Sequence, residues 1–191
     1  MNKQSSFLSL SGFSGLLIGI YCFLALFLIR FLTDGYSSGE VMSSMLPVLF
    51  IEIFVSVTAL LFIVISLLTL WVRARRKAKK RNTILWSPIS KKLRLHLLIP
   101  LLFFSIVLLL IANYGYYTLI TPLAILFYGI LLLNLSRFTH KRLKILAGSE
   151  IILAVLAYFI YNNELLFLIL GFGLFHMVYG MLTFKQKDIQ N

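Results

Sequence analysis

Residues Leu46–Arg81 read LPVLFIEIFVSVTALLFIVISLLTLWVRARRKAKKR. Up to Val72 the stretch is apolar apart from Glu52 and a few hydroxyls. From Arg73 onward every residue is cationic or alanine. The apolar part exceeds the about 20 residues that carry an α-helix across bilayer hydrocarbon. The cationic part cannot follow it into lipid, so it marks the edge of the membrane on one side. Ala, Arg and Lys are good helix formers, which predicts that the helix continues past the edge as a basic extension.

Five further apolar runs flank this one, giving spans at about 12–32, 46–72, 95–112, 117–136, 145–161 and 165–184. The fifth is marginal in length and contains Glu150. It is credible because the sixth follows after only Asn162-Asn163-Glu164. Of the 191 residues, 60% are hydrophobic and 13% are charged, and the mean hydropathy is +0.97. Soluble domains carry about 25% charged residues, so lipid is the solvent this chain fits. The same composition excludes a disordered chain. The expected fold is all-α, a single transmembrane domain over residues 1–191, with six helices arranged as three hairpins.

Charge sets the orientation. With the six spans marked, seventeen of the eighteen Lys and Arg residues fall at the N-terminus, in the second and fourth gaps or at the C-terminus. The opposite side holds Arg30 with Asp34, Glu40 and Glu164. The positive-inside rule then predicts that both termini are cytoplasmic. The first run, without a small-residue cleavage site, reads as a retained span. Tyr36, Trp71, Trp86, Tyr114, Tyr116, Tyr117 and Tyr161 lie at run ends, where interfacial aromatics belong. The lone cysteine, Cys22, sits inside a run and reads as a packing residue.

The strongest chemical constellation is Glu150 with His176. Each is thirteen residues from Asn163, at the centre of the last turn. Antiparallel helices of equal rise place them at one depth, about 20 Å from the turn. Ionisable groups within a span usually find partners, and a Glu–His pair there could relay a proton or clamp a cation. Small-residue faces, Glu150–Ala154–Ala157–Tyr161 on the fifth span and Gly173–His176–Gly180 on the sixth, predict that these two helices pack closely and bring the pair within hydrogen-bonding or one-water reach. The simpler alternatives place Glu150 at its helix N-terminus or beside Arg142 or Lys144, and make His176 an interhelical strut.

Elsewhere, Arg30 and Glu52 read as an ion pair at the membrane edge. Gly15 and Gly19 form a GxxxG. Phe127-Tyr128-Gly129-Ile130-Leu131 echoes Val178-Tyr179-Gly180-Met181-Leu182. Gly12-Phe13-Ser14-Gly15 matches the GxSG of rhomboid-type proteases, but it opens the first span where theirs opens the fourth. No catalytic set is expected. His96 and His140 sit at or beyond the edge of the membrane, so neither a metal site nor a cofactor is expected. The basic residues Arg73, Arg75, Arg76, Lys77, Lys79, Lys80 and Arg81 are expected to contact anionic lipids or a protein partner. Nucleic acid is not an expected partner, because no folded domain presents these charges.

Ser149-Glu150-Ile151-Ile152-Leu153-Ala154, followed by Leu170-Gly171-Phe172-Gly173-Leu174-Phe175-His176-Met177-Val178-Tyr179-Gly180, resembles an uncharacterised family of small bacterial inner-membrane proteins. In that family a Ser-Glu-Ile start and a Gly-Phe-Gly…His…Tyr-Gly ending recur. The similarity extends weakly over the third and fourth spans and covers about half the chain. It implies six membrane helices in the inner membrane and no particular activity. The expected role is a non-enzymatic sensor, regulator or accessory subunit working through protein partners or further copies of itself. The alternative is a small oligomeric transporter or channel with Glu150 and His176 on its pathway.

Overall fold

The structure, a computed structural model, describes residues 13–37, 48–80, 88–137, 143–160 and 163–185. Among these the chain is helical apart from short turns, with no strand. The helices are α1 (Phe13–Ser37), α2 (Val48–Lys80), α3 (Pro88–Asn113), α4 (Ile120–Ser136) and α5 (Leu143–Phe159). The last span is continuous but changes pitch: α6 (Glu164–Leu168), a π-helical stretch (Ile169–Phe175), then α7 (His176–Lys185). Five segments are long and apolar enough to cross a membrane: Phe13–Asp34, Phe50–Arg76, Arg94–Asn113, Tyr117–Ser136 and Glu164–Thr183. Helix α5, at 17 residues, is at the short end of the range for a span.

Local chemistry explains the breaks. Pro88 opens α3, where its missing N–H costs nothing. At the other end Gly115 adopts φ 80°. Its N–H bonds to Ala112 O and that of Tyr116 to Ile111 O. This is a Schellman motif, which turns the chain at once into the 3-10 turn Tyr117–Leu119 and α4. Pro100 lies inside α3, where the backbone loses one ladder hydrogen bond.

Packing divides the helices into a centre and a flank. The most extensive contact is between α4 and α5. The next is between α1 and the last span. Helix α2 lies against α1, and α3 against α4. The apolar windows of α2 and α3 are 6% and 0% buried, against 39% for that of α4. One core cluster joins Ile18, Leu131, Leu132, Leu135, Leu143, Leu146, Ala147 and Tyr179. A second joins Ile125, Leu153, Ala154, Ala157 and Phe167.

The close partners therefore differ from the expected pairing of the fifth span with the sixth. Glycine decides the difference. Gly129 of α4 sits under α5, where an added Cβ would lie 3.2 Å from both Ala147 O and Glu150 Cβ. Gly173 faces the Phe23 ring of α1, not α5. Gly19 of the GxxxG lies on Gly173 O and Met177, so it serves packing within the chain. The last span still touches α5, through Phe167 in the core, Gly171 against Glu150 and Leu153, and His176 beside Glu150.

A buried Glu–His–Tyr cluster as candidate functional site

Glu150 lies two turns inside α5, which begins at Leu143. The expectation of a carboxylate in the first helical turn is corrected accordingly. Lys144 is exposed at the start of the helix, and Arg142 lies outside the described residues. Helix α5 turns Glu150 inward on the face it shares with Leu146, Ala147, Leu153 and Ala154, all buried. His176 is the first residue of α7, at the point where the wider π turn closes. Both residues are fully buried, and Nδ1 of His176 is 3.9 Å from Oε1 of Glu150.

The hydrogen bonds assign the imidazole. Nδ1 lies 3.1 Å from Gly171 O, and a carbonyl oxygen only accepts, so Nδ1 carries the proton. In the neutral ring Nε2 is then an acceptor, and the hydroxyl of Tyr128 on α4 donates to it over 2.5 Å. The backbone N–H of His176 goes to Gly173 O. The side chain thus bonds to a carbonyl of the π stretch itself, Gly171 O, five residues back along the chain.

Glu150 is in the opposite position. Among the described residues neither carboxyl oxygen has a hydrogen-bond partner. A separation of 3.9 Å is beyond a hydrogen bond, and the nearest Nδ1–H is committed to Gly171. Oε2 instead rests on Gly171, where an added Cβ would stand 2.7 Å away. The Nδ1 proton thus has one acceptor, Gly171 O, with the Glu150 carboxyl group beside it at 3.9 Å.

Aromatic rings carry the cluster outward. The Tyr128 ring is 4.8 Å from Phe172, and Phe172 makes an edge contact with Phe62 of α2 at 6.4 Å. Sequence reasoning passed over Tyr128 as a member of the cluster. The available signals were its place in the Tyr-Gly echo and the need of a mid-span tyrosine hydroxyl for a partner.

The remaining candidates fall elsewhere. The basic extension is helical as far as Lys80. Arg75, Arg76 and Lys79 are exposed, while Ala74 is buried. The guanidinium of Arg73 covers the Phe13 ring at 4.6 Å, and that of Arg75 lies 5.6 Å from the Trp71 ring. Lys77 belongs to the same helix, and Arg81 lies outside the described residues. Arg30 pairs with Asp34, Nε to Oδ2 at 2.6 Å, and not with Glu52, which is exposed on α2. An i,i+4 partner on the same helix needs no alignment of two helices. The Cys22 thiol is buried and lies 3.8 Å from Leu168 O. Ser14 is buried in the first turn of α1, and the partners found for the His176 ring are Tyr128 and Gly171. Among the described residues no three His, Cys, Asp or Glu side chains converge as a metal site.

Compared with family models, curated proteins and solved structures, the chain matches none of them.

Proposed function

We propose that this chain is a six-span protein of the inner membrane that works through a protein partner, as an accessory or regulatory subunit without chemistry of its own. In this reading α5 is the fifth membrane crossing, and both termini and the basic end of α2 are cytoplasmic. Membership of the family that its last hairpin resembles belongs to the same reading. The observation that carries it is the form of α2. The helix runs unbroken from its apolar window to Lys80 and displays Arg75, Arg76 and Lys79 to solvent. A stiff cationic rod at the membrane edge suits an acidic partner surface, and anionic headgroups hold it in place.

The test is Arg75→Glu, Arg76→Glu and Lys79→Glu in one chain, followed by purification from native membranes. The expected outcome is an intact, monodisperse protein that has lost a co-purifying polypeptide. Loss of membrane insertion in that variant would reduce the stretch to an anchor. Unchanged co-purification would remove the proposal.

A second reading, transport of a proton or cation, rests on the unpartnered carboxyl group of Glu150 beside a π stretch, a feature common at functional sites. It requires water to reach that carboxyl. Glu150→Cys in a Cys22→Ser background should then react with a water-soluble thiol reagent in native membranes. An inert thiol there leaves the partner reading alone.

A further inference from the structure

Away from the polar cluster, a groove of about 700 Å³ runs between the second half of α1 and the start of the last span. Its walls are Phe23, Leu26 and Phe27 on one side and Leu166, Ile169 and Leu170 on the other. Arg30, Asn163 and Glu164 stand at one end. That end coincides with the ends of two apolar windows, Phe13–Asp34 and Glu164–Thr183. From Arg30 back to Phe23 the groove follows α1 for about 10 Å. It is therefore an apolar slot that opens at the membrane surface among charges.

The charges at the mouth have both signs. Arg30 uses its Nε–H on Asp34 and has further N–H donors in its planar fork. Asn163 occupies the N-cap position of α6, yet its side chain makes no capping hydrogen bond. Its amide N–H groups are a second set of donors beside the slot. Glu164 supplies a carboxylate next to them.

We infer that this groove binds a phospholipid with a primary-ammonium, zwitterionic headgroup of the phosphatidylethanolamine type. One acyl chain lies along Phe23, Phe27 and Ile169. The phosphate accepts from Arg30 and Asn163, and the ammonium donates to Glu164. An anionic phosphatidylglycerol headgroup would satisfy Arg30 but bring no positive charge to the Glu164 carboxylate. A choline headgroup has no N–H to give Glu164. The occupant is thus chosen by the pairing of opposite charges at the mouth. This goes beyond the partner reading and does not depend on α2.

Full-length protein is reconstituted in vesicles of equal parts phosphatidylethanolamine, phosphatidylcholine and phosphatidylglycerol. It is then re-extracted in mild detergent, and its retained lipid is quantified by mass spectrometry. Phosphatidylethanolamine is expected to be enriched roughly fivefold, the factor associated with one interfacial charge contact. Glu164→Lys is expected to move the preference to phosphatidylglycerol. Leu166→Trp, at a position already 51% exposed, fills the slot without touching the core and should abolish retention of either lipid. Equal retention of all three lipids by the unmodified chain, or a preference unmoved by Glu164→Lys, would overturn the assignment. Size-exclusion profiles of both variants confirm that the fold is unchanged.

Discussion

Helices α2 and α5 are both apolar, yet they hold opposite places. Helix α2 is long, 33 residues, and rich in Leu, Ile, Val and Phe. Among its described residues only Thr58 and Ala74 are buried. Helix α5 is 17 residues long, and Leu143, Leu146, Ala147, Glu150, Leu153, Ala154 and Ala157 are buried on one face. In lipid, apolarity gives a helix no reason to prefer a neighbour over an acyl chain. Close approach does. Ala147, with Gly129 opposite, lets two backbones come together and gain van der Waals contact, and Ala154 and Ala157 continue the buried face. The bulky surface of α2 offers no such seam. The α4–α5 seam is thus opened by small residues with large side chains packed around it, whereas α2 presents large ones to its surroundings.

The sharpest way to break that contrast is to add the same side chain to both helices' neighbourhoods. Gly129→Leu cannot be accommodated: its Cβ alone would stand 2.8 Å from Ile151 Cγ1. We expect a loss of about 3 kcal/mol, read as a collapse of monodisperse protein and of the unfolding midpoint. Ala59→Leu on the exposed part of α2 is expected to change the unfolding free energy by less than about 0.5 kcal/mol. Equal effects would mean that α2 is as closely packed as α5.

Within the centre, the two members of the polar pair should respond with opposite signs. His176→Ala removes a buried ring and two hydrogen bonds, a cost of about 2–4 kcal/mol. Glu150→Leu removes a buried carboxyl group that satisfies nothing, and a gain of about 1 kcal/mol is expected. Tyr128→Phe takes away one hydrogen bond to His176 and should cost about 1 kcal/mol. Unfolding of the three variants in one lipid–detergent mixture measures all of them. A Glu150→Leu loss matching that of His176→Ala would show that the carboxyl group is bonded in the bilayer.

Much of this architecture is legible in the residues. The apolar runs mark the helices because no other element can carry so many unbroken apolar residues. The cationic run after Val72 continues α2 because its residues favour helix. Counting equally from Asn163 was enough to bring Glu150 and His176 together, although the last span departs from the α-helical rise over Ile169–Phe175. Lateral choice is harder to read. Depth follows from counting along the chain, but which helix α5 touches depends on Gly129, a single residue in another span. The π stretch had no signal beyond Gly171 and Gly173, because a change of pitch leaves no mark on the apolar pattern of the run. Tyr128 was hidden among seventeen Phe and nine Tyr residues, where one hydroxyl alters no pattern.

The smallest expected effect is the most informative about the flank. Leu60 and Leu61 of α2 are 60% and 53% exposed. If acyl chains cover them, Leu60→Ala and Leu61→Ala exchange one apolar surface for another, and the unfolding free energy should stay within about 0.5 kcal/mol of the unmodified chain's. A partner or a second copy seated there would instead leave a cavity at each truncation, with a cost of about 2 kcal/mol or more. Repeating the measurement over a range of protein-to-lipid ratios separates the two. A loss that fades on dilution in lipid identifies a second copy, since only self-association follows the concentration of this chain. A loss independent of dilution, in material that retains a co-purifying polypeptide, identifies a different partner on α2. The helix that is least buried within the chain would then be the one most buried in its assembly.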